Sequence, residues 1–143
     1  MKKILTMAAL VAAFPVSAID DNEVIAKLNP AWMSLEQKAV ALVGPENQKL
    51  MVDAAFASVS ASACPGLTFN GEEVDKRFAR IVDEKGGTGL DEQKAFVIKA
   101  STLYGAYLGL LMAESHLDTP AFCKYADNAK AAKDGPNLFW KTK

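Results

Sequence analysis

Apolar positions recur at helical spacing along most of the chain, in stretches separated by Pro, Gly and Asn. The densest is Leu90 to Ser115, LDEQKAFVIKASTLYGAYLGLLMAES. From Phe96 to Ala113 the apolar residues fall on every side of a helical wheel, interrupted by Lys99, Ser101 and Thr102. A helix with no polar face has to be surrounded, by lipid or by other helices. The uninterrupted run, Leu103 to Ala113, is well short of the roughly 20 residues a membrane-spanning helix needs. The pattern therefore predicts a buried central helix and no membrane span in the mature chain. Gly105 and Gly109, four apart, predict a neighbouring helix packed closely against that face inside the molecule.

The flanking segments predict shorter helices. Val24, Ile25 and Leu28 mark an amphipathic piece over Asp20–Leu28, which Asn29-Pro30 should end. Ser34 with Gln37 reads as the capping box of a second helix that carries Leu35, Ala39, Leu42 and Val43 as far as Gly44. Pro45 suits the first turn of a third, where Val52, Ala55, Phe56, Val59 and Ala63 form one stripe before Cys64-Pro65-Gly66. Leu67-Thr68-Phe69 is an extended link too short for a sheet. Asn70 then caps a helix with Val74, Phe78, Ile81 and Val82 inside, and Glu73 with Arg77 four apart outside. Thr88 with Asp91 reads as the cap of the central helix, and Thr119-Pro120 opens a last one with Phe122, Tyr125, Ala126 and Ala129 inward. The tail holds Leu138, Phe139 and Trp140, which either dock on the core or present a patch to a partner.

The first eighteen residues change the compartment. MKKILTMAALVAAFPVSA has two lysines, an apolar run from Ile4 to Phe14 and a small-residue site at Val16-Ser17-Ala18, the three parts of a cleaved secretory signal. This predicts a mature single domain over 19–143, periplasmic or secreted from a bacterium. Losing Lys2 and Lys3 leaves fourteen Lys plus Arg against seventeen Asp plus Glu, a net charge of −3. That mixed, slightly acidic balance lacks the basic stripe that nucleic-acid phosphates require. In an oxidising compartment Cys64 and Cys123, the two cysteines of the chain, are expected to form a disulfide. The fold class expected is thus all-α: a small single-domain bundle of about five helices around a buried central helix, clamped by one disulfide.

Candidate chemistry is sparse. The one histidine, His116, stands just after the apolar run, where it reads as a C-terminal cation rather than a base or metal ligand. Lys85-Gly86-Gly87-Thr88-Gly89 lacks both the alternating ligands of a calcium loop and the Gly-Lys-Ser/Thr ending of a phosphate loop. The Glu72/Glu73 pair belongs to a solvated face, and no Gly-x-Ser-x-Gly, Cys-x-x-Cys or His-Glu-x-x-His occurs. No catalytic residue, metal site or cofactor is assigned on this reading.

An exported helical domain with one disulfide is similar in plan to acid-stress chaperones of the bacterial periplasm. It is also similar to helical immunity proteins that neutralise cell-wall-degrading toxins. The likeness is architectural and carries no residue assignments. The expected function is a non-catalytic periplasmic binding protein, of inhibitor or immunity type, acting on another exported protein. The alternatives are an acid or stress chaperone, and a small-ligand carrier or enzyme with a pocket between helices. Candidate contacts for a partner or ligand are Trp32, Tyr104, Tyr107, Phe139 and Trp140, with Met112 beside them in a pocket.

Overall fold

The computed structural model describes residues 21–141 as five α-helices, α1 Asp21–Val43, α2 Pro45–Ala63, α3 Gly71–Lys85, α4 Leu90–Leu117 and α5 Thr119–Ala129, followed by a 3-10 turn over Gly135–Phe139. The signal segment 1–18 and the expected mature start at Ile19 lie outside the described residues. Among those described, strand pairing is confined to one isolated antiparallel bridge between Phe69 and Trp140.

The N-terminal third differs from the sequence expectation. Asp20–Leu28 and Ser34–Val43 were predicted as two helices broken at Pro30, yet α1 runs through Pro30. A proline inside a helix removes one i→i−4 hydrogen bond and crowds the preceding turn. Asn29, Pro30 and Ala31 are all exposed, so the proline ring lies on the solvent side of the helix. Ser34 is accordingly an interior residue rather than a cap. Gly44 alone turns α1 into α2, at φ 85°, a conformation that costs a residue with a Cβ.

The helix most completely enclosed is α2, not α4. Met51, Ala54, Ala55 and Ala57 are fully buried, and Phe56 and Val59 nearly so. Its alanines and serines let α1, α4, α5 and the C-terminal turn close in on several sides, because small side chains set a short interaxial distance. Ser60, also fully buried, returns its hydroxyl proton to its own helix, with the Phe56 carbonyl at 2.7 Å. The buried polar group is therefore satisfied.

The helix α4 touches each of the other four, but through one stripe: Phe96, Ala100, Tyr107, Leu111 and Ser115. The opposite side is open. Ile98 is 67% exposed, Met112 is exposed as well, and a Cβ added at Gly105 or Gly109 would meet nothing within 4 Å. The expectation of a helix buried all round, with its glycines under a neighbour, is thus corrected. A residue pattern that is apolar everywhere has no moment, so it cannot say which face is covered. By length and composition α4 is the one described helix that passes as a membrane span, and 22% of its apolar window is buried in the bundle.

Local signals elsewhere hold. Asn70 caps α3, its side chain accepting from the Glu73 amide at 3.4 Å, and Arg77 Nε donates to Glu73 at 2.6 Å. Pro45 occupies the first turn of α2 and Thr119-Pro120 opens α5, whose cap, unmarked in the sequence reading, is Asp118, accepting from the Ala121 amide at 2.9 Å. The cap of α4 falls one residue beyond the expected Thr88: Gly89 is the N-cap, and the Glu92 carboxylate accepts from its amide at 3.3 Å. Cys64, the C-cap of α2, is bonded to Cys123 in the first turns of α5, with Cα atoms 5.4 Å apart. That bridge ties the end of the enclosed helix to the last helix.

Candidate functional site

Four helices and the C-terminal turn leave a cleft of about 690 Å³ where the C-terminal end of α4 meets α5. Its walls are aromatic. Trp32 comes from α1, Val52 and Phe56 from α2, Ala121, Phe122 and Tyr125 from α5, while Leu111 and Leu117 of α4 and Pro136 of the turn complete the apolar lining.

The aromatic residues are held by one another and by the core beneath them. Phe56 lies 4.9 Å from Phe122 and 5.2 Å from Tyr125, the latter edge-on, an arrangement that matches ring edge to ring face. Trp32 packs at 5.7 Å on the fully buried Tyr107, whose hydroxyl oxygen accepts from Gln48 at 3.0 Å. Burial pushes the Tyr107 phenol above the ordinary tyrosine range, against a smaller opposing effect of the Gln48 bond. Tyr125 was expected to face inward, but it is 61% exposed and forms the outer lip of the cleft.

The polar part of the lining is acidic. Asp53, Glu114 and Asp118 contribute carboxylates, and no basic side chain lines the cleft among the described residues. Each carboxylate is fixed through one oxygen. Glu114 accepts from the Trp32 indole at 2.6 Å, Asp118 from the Ala121 amide at 2.9 Å, and Asp53 from Lys49 at 2.7 Å. Lys49 sits outside the lining and largely in solvent, where its hydrogen bond to Asp53 holds the ammonium above the usual lysine range. The acids do not converge. Among the described residues no group of three or more His, Cys, Asp or Glu side chains is close enough to hold a metal ion.

The structure brings together two of the residues singled out from sequence, Trp32 in the wall and Tyr107 beneath it. It separates the others. Tyr104 lines a smaller groove of about 300 Å³ between α3 and α4, its ring 5.1 Å from Phe78. Met112 points away from the cleft on the open side of α4. Phe139 and Trp140 are 1% and 6% exposed, so the tail docks on its own core rather than presenting these rings to a partner. The Trp140 indole donates to the Ala57 carbonyl at 3.0 Å, the Arg77 guanidinium stands 5.6 Å over the Phe139 ring, and the tail backbone pairs with the 68–70 segment through Asn70 N to Phe139 O and Lys141 N to Thr68 O, both 2.8 Å. Leu138 keeps partial exposure.

The sequence reading missed Asp53, Glu114, Asp118 and Tyr125. One of them had a signal. Glu114 is the single acidic residue between Lys99 and Asp118, inside the most apolar run of the chain, and a lone carboxylate there needs a partner. The chain matches no protein-family model, and comparison with curated proteins and with solved structures returns no similar one.

Proposed function

We propose that the protein is a non-catalytic exported binding protein of inhibitor or immunity type, and that the aromatic cleft between α1, α2, α4 and α5 receives part of another exported protein. The observation that carries this reading is the cleft itself. It is open, largely apolar and built on rigid helices, and α2 and α5, which supply Phe56, Phe122 and Tyr125, are joined by the disulfide. Interfaces draw most of their energy from a few aromatic and arginine anchors in well-packed pockets, and a wall of Trp, Phe and Tyr is such a pocket. A disulfide is compatible with export. With the leader sequence MKKILTMAALVAAFPVSA, it supports a bacterial periplasmic or secreted location.

A second reading, a carrier of a small apolar ligand, is favoured by the cleft volume, which falls in the range of about 300–1,000 Å³ typical of ligand pockets. Affinity capture from exported fractions, using the mature chain and an Ala121→Trp variant that fills the cleft, separates the two. The protein-binding reading expects a stoichiometric protein retained by the unmodified chain and lost with the variant. Capture of nothing, or equal capture by both chains, contradicts it.

A further inference from the structure

We infer that the cleft selects an arginine-bearing apolar segment, the Arg side chain entering between the aromatic walls to pair with one of the carboxylates that line the cleft, Glu114, Asp118 or Asp53. This rests on the reading that the cleft docks another protein, and it names the chemistry of what enters.

The argument is one of complementarity. The cleft places three carboxylates around an apolar, aromatic interior, and the second oxygen of each has no hydrogen-bond partner among the described residues. Asp134 lies close enough to Lys49 to act on its charge, which adds a fourth acid near the Asp53 end, where Lys49 is the basic counterweight. A ligand that is merely apolar would leave those oxygens facing hydrocarbon, and an acidic one would be repelled. A guanidinium answers both demands. Its plane stacks on Trp and Tyr faces, while its N–H groups pair with carboxylates in a fixed fork. Lysine, a compact and strongly hydrated charge, satisfies the oxygens but not the ring faces.

The three acids can be neutralised without disturbing what holds them. Glu114→Gln keeps an acceptor for the Trp32 indole, Asp118→Asn keeps a helix cap, and Asp53→Asn keeps an oxygen for Lys49. The test measures calorimetric binding of short acetylated, amidated peptides in which Leu and Phe flank Arg, Lys, Gln or Glu. The mature chain, the triple variant E114Q/D118N/D53N and A121W are compared, with thermal unfolding as a check that all three are folded. The expected order is Arg tighter than Lys, Lys tighter than Gln, and no binding of the Glu peptide. The triple variant should weaken Arg binding about tenfold or more, and salt should weaken it in the unmodified chain alone.

Equal binding of the Arg and Gln peptides overturns the inference, as does no binding of the Arg peptide at millimolar concentration, or unchanged binding by the triple variant. If A121W abolishes capture of the protein partner while E114Q/D118N/D53N leaves it intact, the charge selection fails and the protein-binding reading survives. If A121W captures that partner as the unmodified chain does, the protein-binding reading itself fails.

Discussion

At the scale of single residues, burial decides behaviour more than residue type does. Tyr104 and Tyr107 stand three apart on α4, and burial raises both phenols, Tyr104 to about 12 with a smaller contribution from the Asp75 charge. A folded-state pKa above the unfolded value of 10.0 means the unfolded chain loses the proton first as pH rises. The stabilisation is fully present below pH 10 and disappears by about pH 12. Ultraviolet absorbance of tyrosinate should therefore show Tyr104 and Tyr107 ionising late, together with alkaline unfolding. Early ionisation of either in the folded chain would contradict their placement. The two tryptophans are similarly unequal. Trp140 is in the core with its indole bonded to Ala57, so Trp140→Ala should cost about 3–5 kcal/mol in denaturant unfolding, whereas Trp32→Ala removes a half-buried ring and should cost less.

Legibility was uneven among the elements. The helix α3 was readable because its charges and apolar residues separate cleanly and Asn70 marks its cap, and Thr119-Pro120 marks the start of α5. The helix α1 was misread because Pro30 is a strong local signal, overridden here by the packing of α1 on both α2 and α4, with Leu35, Ala39 and Val43 buried. The enclosure of α2 was hidden in its alanines, which carry little hydrophobic signal yet permit the closest packing. The open side of α4 was invisible for the opposite reason, since every position there looked suitable for a core. That side yields a direct test. Gly105 and Gly109 are helical and face open space, so Gly105→Ala and Gly109→Ala should each stabilise the fold by about 0.5–1 kcal/mol. Loss of stability in thermal unfolding would mean that a neighbour does sit on them. The cleft could not be read from the chain at all, because its walls come from four helices and a turn and no local spacing records their meeting.

At the scale of the molecule, the disulfide and the docked tail set the rigidity on which a binding cleft depends. The bridge joins residues 59 apart in sequence, and a loop of that length corresponds to about 4 kcal/mol in the chain-entropy account. Reduction should lower the unfolding midpoint substantially and loosen α5, which carries Phe122 and Tyr125. Binding should weaken with it, since pre-organisation is what the bridge contributes to the cleft. The central claim is that another exported protein docks between the aromatic walls. Hydrogen exchange followed by mass spectrometry, comparing the free chain with the captured complex, tests this most directly. The account predicts slowed exchange in 111–125 and around Val52–Phe56, with the open side of α4 over 97–105 unchanged. Protection confined to that open side, with the cleft segments exchanging as in the free chain, would contradict it.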